Sequence, residues 1–202
     1  MPTIQIAQFP VSEAFSSQPD TFKAPLEVIK RADGHISSFY GVQVENKETG
    51  YYVSVWESHA HHLKLMEEPS YKSLVEVLKP ATTDAHKFER HHVDVTGDVL
   101  TALSSPAVEF VVFTLKPGVA HEQVVPLFVE LAKGLDAAVG AHPPCMWGPS
   151  HEDKTKILVV VGWDTVEAHW EAVKEGTSLH GVIVEIFKLA DGSIGHSPIK
   201  QL

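Results

Sequence analysis

Polar and apolar residues alternate over TIQIAQF (3–9), SSFYGVQVEN (37–46) and YYVSVWE (51–57), and each stretch reads as a half-buried strand. The turn signal KETG separates the last two, which predicts a hairpin. Between the first two, PDTFKAPLEVIKRA places Phe22, Leu26 and Ile29 at helical spacing until Asp33-Gly34 stops it. From Ser58 the positions Leu63, Met66, Leu74, Val77 and Leu78 recur with the helical period as far as Pro80, and HKFERHHVDV closes the series as a fourth strand. The predicted order is β-α-β-β-α-β.

The order then repeats. At an offset of 107, YGVQVENKETGYYVSVWESHAHH (40–62) lies over WGPSHEDKTKILVVVGWDTVEAHW (147–170), so that Trp56 meets Trp163 and His62 meets His169. YKSLVEVLKP lies over HGVIVEIFKL with Tyr71 on His180, and TIQIAQFPV lies over AVEFVVFTL at an offset of 104. The chain is a tandem duplication of about 100 residues. Residues 1–95 form the first repeat, 96–106 (TGDVLTALSSP) a connector and 107–202 the second, whose last strand, near IGHSPIK, is expected to be shortened. Four strands and two helices leave one apolar sheet face to cover, a task the other repeat is expected to perform.

The residues VWESHAHH and EEPSYKSL resemble a strand-Trp-Glu-Ser, helical-His, Ser-Pro-x-Tyr pattern, and GWDTVEAHW with TSLHGVIVEIF resembles its variant with a helical His in place of Tyr. That pattern is similar to tandem-fused dimeric α+β barrel proteins, the ferredoxin-like class of antibiotic-biosynthesis monooxygenase-like and stress-responsive barrel domains. The resemblance implies an α+β chain in which two ferredoxin-like β-α-β-β-α-β repeats form one intramolecular dimeric α+β barrel. The fold hosts cofactor-free monooxygenases, cyclases, isomerases, haem enzymes and binding proteins, so it specifies architecture better than chemistry. By the same resemblance Tyr71 is a candidate catalytic residue, and His180 matches the catalytic helical His of barrel cyclases, although Gly-Thr-Ser-Leu replaces that family's flanking His-Pro-Ala.

Composition narrows the partners. A net charge of -10 disfavours nucleic acid and anionic membranes, leaving a small apolar or aromatic substrate. The single cysteine, Cys145, the N-terminal MPTIQIAQFP and the lack of a long apolar run lead us to expect a cytoplasmic protein, as a monomer or homodimer. Thirteen histidines stand where about 5 would be ordinary.

His62 and His169 fall on the inward helix face, with Leu63 and Met66 in the first repeat; His59 shares that face, and His61 meets water. A partly buried imidazole must hydrogen-bond, ligate or titrate. His59 and His62, with a ligand from the last strand (His86, His91 or His92), could hold a transition metal, Mn or Fe before Zn or Cu; alternation groups His86 with His92. The sequence shows neither His-x-x-x-His nor a two-His-one-carboxylate pattern. The metal, on this reading of His59, His62 and His92, belongs to the first repeat, and His169 and His180 remain as bases for proton transfer. Tyr40, Trp56, Trp147 and Trp163 are candidates to line a substrate pocket. The functional expectation is an oxygen-using oxidoreductase with a His-held metal, extending to alkene cleavage by similarity to metal-dependent alkene-cleaving oxygenases. The alternatives are a cofactor-free monooxygenase or cyclase with a helical His as base, and a non-catalytic ligand-binding stress barrel.

Overall fold

The computed structural model describes residues Met1–Leu202, apart from the side chains of Thr21, Ala24 and Pro25. The chain divides into two units, Met1–Asp94 with Ile199–Leu202, and Val95–Pro198.

In the first unit, strand β1 (Thr3–Pro10) leads through a short helix α1 (Glu13–Ser17) and a 3-10 turn (Pro19–Phe22) to α2 (Lys23–Lys30). The hairpin β2 (His35–Val42) and β3 (Thr49–Trp56) follows as the alternation predicts. The helical stretch after Ser58 is two helices, α3 (His59–Glu67) and α4 (Pro69–Leu78). The break is local chemistry: Glu68, preceding Pro69, takes an extended ψ of 142°, because the proline ring crowds a helical conformation in its predecessor. Strand β4 (Glu89–Asp94) begins later than expected, after a 3-10 turn (Ala85–Lys87) whose amide at His86 is capped by the Asp84 carboxylate. His86 therefore lies outside the strand and exposed, and does not share a strand face with His92.

The second unit opens with α5 (Val99–Leu103), formed by the connector, which lies against two strands of its unit, β6 (Ala141–Pro149) and β7 (Lys156–Trp163). A Cβ at Gly162 would stand 2.7 Å from the Ala102 carbonyl oxygen, so only glycine admits α5 at this distance from β7. The remaining elements are β5 (Ala107–Leu115), α6 (His121–Asp136), α7 (Val166–Val173), α8 (Ser178–Leu189) and β8 (Ala190–Ser197). The expectation of a shortened last strand is overturned: β8 spans eight residues against six in β4 and pairs along β5 from Ala190 to Ser197. Its composition, ADGSIGHS, hides it, since Gly, Asp and Ser are poor strand formers. Gly192 lies close under two rings: a Cβ there would approach those of Phe187 and Phe113 to 3.0 and 3.1 Å, so they would have to give by a few tenths of an ångström.

Both sheets are antiparallel and share one order, β4-β1-β3-β2 in the first unit and β8-β5-β7-β6 in the second. The short strand β9 (Lys200–Gln201) adds to the edge of β2. The interiors differ. In the second unit Phe113, Phe128, Leu131, Leu135, Ile157 and Ile186 belong to one continuous apolar cluster. In the first, a cluster with Phe9, Phe15, Phe22 and Tyr40 and another with Leu26, Ile29, Leu65 and Leu74 border a cavity of about 520 Å³.

Among the described residues no helix is long and apolar enough to cross a membrane.

Candidate functional site

The strand registers set side chains from three elements beside one another. In the first unit Gln5 on β1 is paired with Ser54 on one side and His92 on the other. Trp56, the last residue of β3, is fully buried, and its indole Nε1 donates to Ser54 Oγ (2.8 Å), which in turn donates to Gln5 Oε1 (2.7 Å). The His62 ring stacks on that indole with centroids 4.6 Å apart and 17° between planes. Its Nδ1 lies 2.6 Å from His92 Nε2, and both imidazoles are 1% exposed. One nitrogen must donate and the other accept, so the pair shares a proton. His59 lies against the outer side of the pair, its ring centroid 4.5 Å from that of His92.

This distance bears on the expected metal cage of His59, His62 and His92. Two nitrogens bound to one ion at about 2.1 Å each, but separated by 2.6 Å, would subtend about 76° at the ion, narrower than a tetrahedral or octahedral angle. The facing nitrogens of His62 and His92 are spaced for a hydrogen bond.

His62 and Gln5 line the 520 Å³ cavity, as do the hydroxyl-bearing Tyr40, Tyr52 and Tyr71 and Arg90. Most of the remaining lining is apolar, with Phe9, Phe15, Phe22, Leu26, Ile29 and Leu74, while Lys79 and Thr82 add polar groups. Arg90 directs Nη1 at the Tyr71 hydroxyl at 3.5 Å, while its buried Nε has no hydrogen-bond partner. An unpaired buried donor beside an apolar cavity is poised for an oxygen atom of a ligand. Tyr52 donates to or accepts from Ser38 (2.9 Å), and burial pushes its phenol above the ordinary range, keeping it neutral. Tyr40 donates to the Asp20 carboxylate.

The second unit repeats the construction with one substitution. Glu109 stands in β5 where Gln5 stands in β1, paired across the sheet with His196. Trp163 Nε1 donates directly to Glu109 Oε2 (2.7 Å), Val161 having replaced the intervening serine. His169 Nε2 lies 3.6 Å from Glu109 Oε1, and His169 Nδ1 lies 3.0 Å from His196 Nε2. Burial pushes the Glu109 carboxyl up to about 7, against the opposing pull of the Trp163 hydrogen bond. The adjoining cavity, about 140 Å³, is lined by Glu109, His169 and Trp170 and otherwise by apolar side chains.

The structure brings some of the candidate residues together and leaves others apart. His62 and His92 meet, His59 stands beside them, and Tyr40 and Tyr71 line the larger cavity. Trp56 and Trp163 lie beneath the histidines as buried hydrogen-bond donors and line neither cavity. Trp147 stacks on Phe128 against the second unit's core, away from the smaller cavity's lining. His180 is also apart: its amide is capped by Thr177 and its Nδ1 bonds the Val173 carbonyl, tying the start of α8 to the end of α7. Leu63 faces solvent, and Leu65 is buried with His62 in its place. His61 packs its ring over Gly34 and bonds Ser58. Burial raises the Cys145 thiol far above its ordinary range, leaving it an inert thiol. Gln5, Arg90, Glu109 and His196 were not singled out. The repeat itself held a signal for three of them, since the offset of 104 places Gln5 on Glu109 and His92 on His196.

No protein-family profile matches the chain, and no curated protein is significantly similar to it in sequence. Solved structures are similar over nearly its whole length. A candidate monooxygenase from Fusobacterium nucleatum superposes with a TM-score of 0.74 at 10% identity, covering 99% of this chain and 93% of that one. One from Lactobacillus acidophilus gives 0.68 at 12%, covering 99% and 95%. An anthrone oxidase-like protein gives 0.74 at 12%, covering 99% and 92%. The repeat, the two matching strand orders and these superpositions make the chain a tandem α+β protein that shares its fold with these solved structures.

Proposed function

We propose that the protein is an oxygen-using oxidoreductase whose small aromatic substrate occupies the first unit's cavity, with the His62–His92 pair as proton acceptor. The observation that carries this reading is a largely apolar cavity of about 520 Å³ lined both by His62, whose buried imidazole meets His92 at 2.6 Å, and by Arg90, whose buried Nε has no hydrogen-bond partner. Ligand pockets for ring compounds fall in the range of about 300–1,000 Å³ and combine apolar walls with few polar groups in this way. The solved structures named as monooxygenases and anthrone oxidase-like support an oxygenase over a binding barrel.

A phenol, or a ring CH2 activated by a neighbouring carbonyl, gives up its proton to His62 at the ring edge lining the cavity, while the Nδ1 contact with His92 stabilises the imidazolium formed. Arg90 and Tyr71 meet the oxygen on which the negative charge collects. The electron-rich anion can then reduce dioxygen without a cofactor: the CH2 carbon becomes a carbonyl, one oxygen atom enters the product and the other leaves as water. The proton-transfer reading is preferred to a metal cage of His59, His62 and His92 because of the 2.6 Å spacing.

Anthrone, a tricyclic ketone with such a CH2, is the test substrate. Under nitrogen the protein is expected to bind it and raise the absorbance of its anion; on admitting air, one dioxygen is consumed per quinone formed, with or without a chelator. His62→Ala should retain binding and lose the anion signal. Absence of binding by any tricyclic phenol or ketone would overturn the reading, and carbonyl products from a styrene, abolished by chelator, would favour metal-dependent alkene cleavage.

A further inference from the structure

We propose that Glu109, His169 and His196 form a binding site for a divalent first-row transition ion in the second unit, separate from the aromatic cavity of the first. A ligand atom from each lies within 4.8 Å of those of the others, and the residues are 4%, 3% and 0% exposed. The three come from β5, α7 and β8, far apart in sequence, so the two-His-one-carboxylate set exists only in the folded chain.

Three observations point to a cation. His169 Nδ1 and His196 Nε2 are 3.0 Å apart, a hydrogen-bond spacing that one ion about 2.1 Å from each nitrogen would also fit, subtending about 90°. The corresponding spacing in the first unit is 2.6 Å, too short for this. Glu109 is a buried carboxyl met by Trp163 and His169 and, among the described residues, by no lysine or arginine, so its ionised form lacks the positive partner that a bound cation would supply. A cavity of about 140 Å³ opens beside Glu109 and His169, which leaves room for water or a small ligand in the remaining coordination positions. Two imidazoles and one carboxylate with open positions suit Fe(II), Mn(II) or Zn(II), whereas an all-oxygen calcium site is excluded by the donors. The first unit carries Gln5 in place of the carboxylate, so the two units, built alike, differ in the one group that attracts a metal.

The test needs no substrate, so it succeeds or fails apart from the oxygenase reading. Untagged protein stripped with chelator is dialysed against Mn(II) or Zn(II) at micromolar concentration, and bound metal is measured directly, with the electron paramagnetic resonance of Mn(II) as a second readout. One equivalent per chain is expected. Glu109→Gln should weaken binding a hundredfold or more, and it places in the second unit the residue that the first accommodates at the matching position. His196→Ala should do the same, while His62→Ala and His92→Ala leave binding unchanged. Circular dichroism of each stripped variant verifies folding. No stoichiometric uptake by the folded wild type, or uptake insensitive to Glu109→Gln but lost in His62→Ala or His92→Ala, overturns the proposal.

Discussion

His62 Nδ1 and His92 Nε2 are 2.6 Å apart, one on a helix and the other on an edge strand of the sheet beneath it. Removing His92 leaves the buried His62 imidazole without this partner. His92→Ala should therefore destabilise the protein by about 1–3 kcal/mol, measured by urea unfolding, and lower kcat for deprotonated substrates. His92→Gln, which can still bond His62, should recover most of the stability and less of the rate.

Arg90 is expected to act on charge. Arg90→Leu should weaken binding of a phenol that ionises in the cavity by about 10- to 100-fold, the loss of a charged hydrogen bond of ~1.5–3 kcal/mol. A neutral aromatic hydrocarbon of equal size should bind unchanged, and equal losses for both ligands would assign Arg90 to packing instead.

Leu78 lines the cavity between its two apolar walls. Leu78→Trp should fill part of the volume, abolish aromatic binding as read by calorimetry, and shift Tm by only a few degrees. Unchanged affinity would place the ligand elsewhere.

Gly34 and Gly118 both have positive φ, 74° and 84°. A Cβ at Gly118 meets nothing within 4 Å, whereas one at Gly34 falls 2.3 Å from the His61 ring. Gly118→Ala should cost about 1–2 kcal/mol from the backbone alone. Gly34→Ala should cost an additional ~1–3 kcal/mol for overpacking, with α3 displaced beside the candidate site. Comparing the two unfolding free energies separates strain from collision.

His35 sits edge-on to Trp56 and bonds Ser38. Burial, and secondarily Lys30, hold its pKa below the ordinary value against a hydrogen bond to the Ser37 backbone carbonyl. The folded state thus takes up this proton less readily than the unfolded chain. Its contribution is fully present above the ordinary His pKa of about 6.5 and is lost as pH falls below it. Urea midpoints at pH 7.5 and 5.5 should differ less in His35→Gln than in wild type.

The strand alternation, the helix spacing and the duplicated Trp and His positions made the repeat readable, because each is a local pattern fixed by burial. His62 and His92 were legible as inward-facing residues, but their mutual distance depends on the β1–β4 register. Glu109 looked like an ordinary polar residue in an alternating strand, and His196 sat in a Gly-, Ser- and Asp-rich segment whose strand character comes from pairing with β5. The break at Glu68–Pro69 was readable from the proline alone. His180 stood out by a motif position that resembles a catalytic one, and its bond to the Val173 carbonyl, which ties two helices, depends on tertiary packing that the sequence does not display.

The last residues of the chain belong to the first unit: Lys200 and Gln201 pair with β2, Gln201 donates to Ser37, and Leu202 packs on the apolar side chains around the cavity. Duplication in the sequence therefore does not mean separability in the folded molecule. A fragment cut after residue 94 would present β2 as a bare sheet edge, with unpaired amides and carbonyls open to another strand. It would also lose Leu202 from the two apolar clusters of the first unit, so that unit completes its own interior only with residues that follow the second.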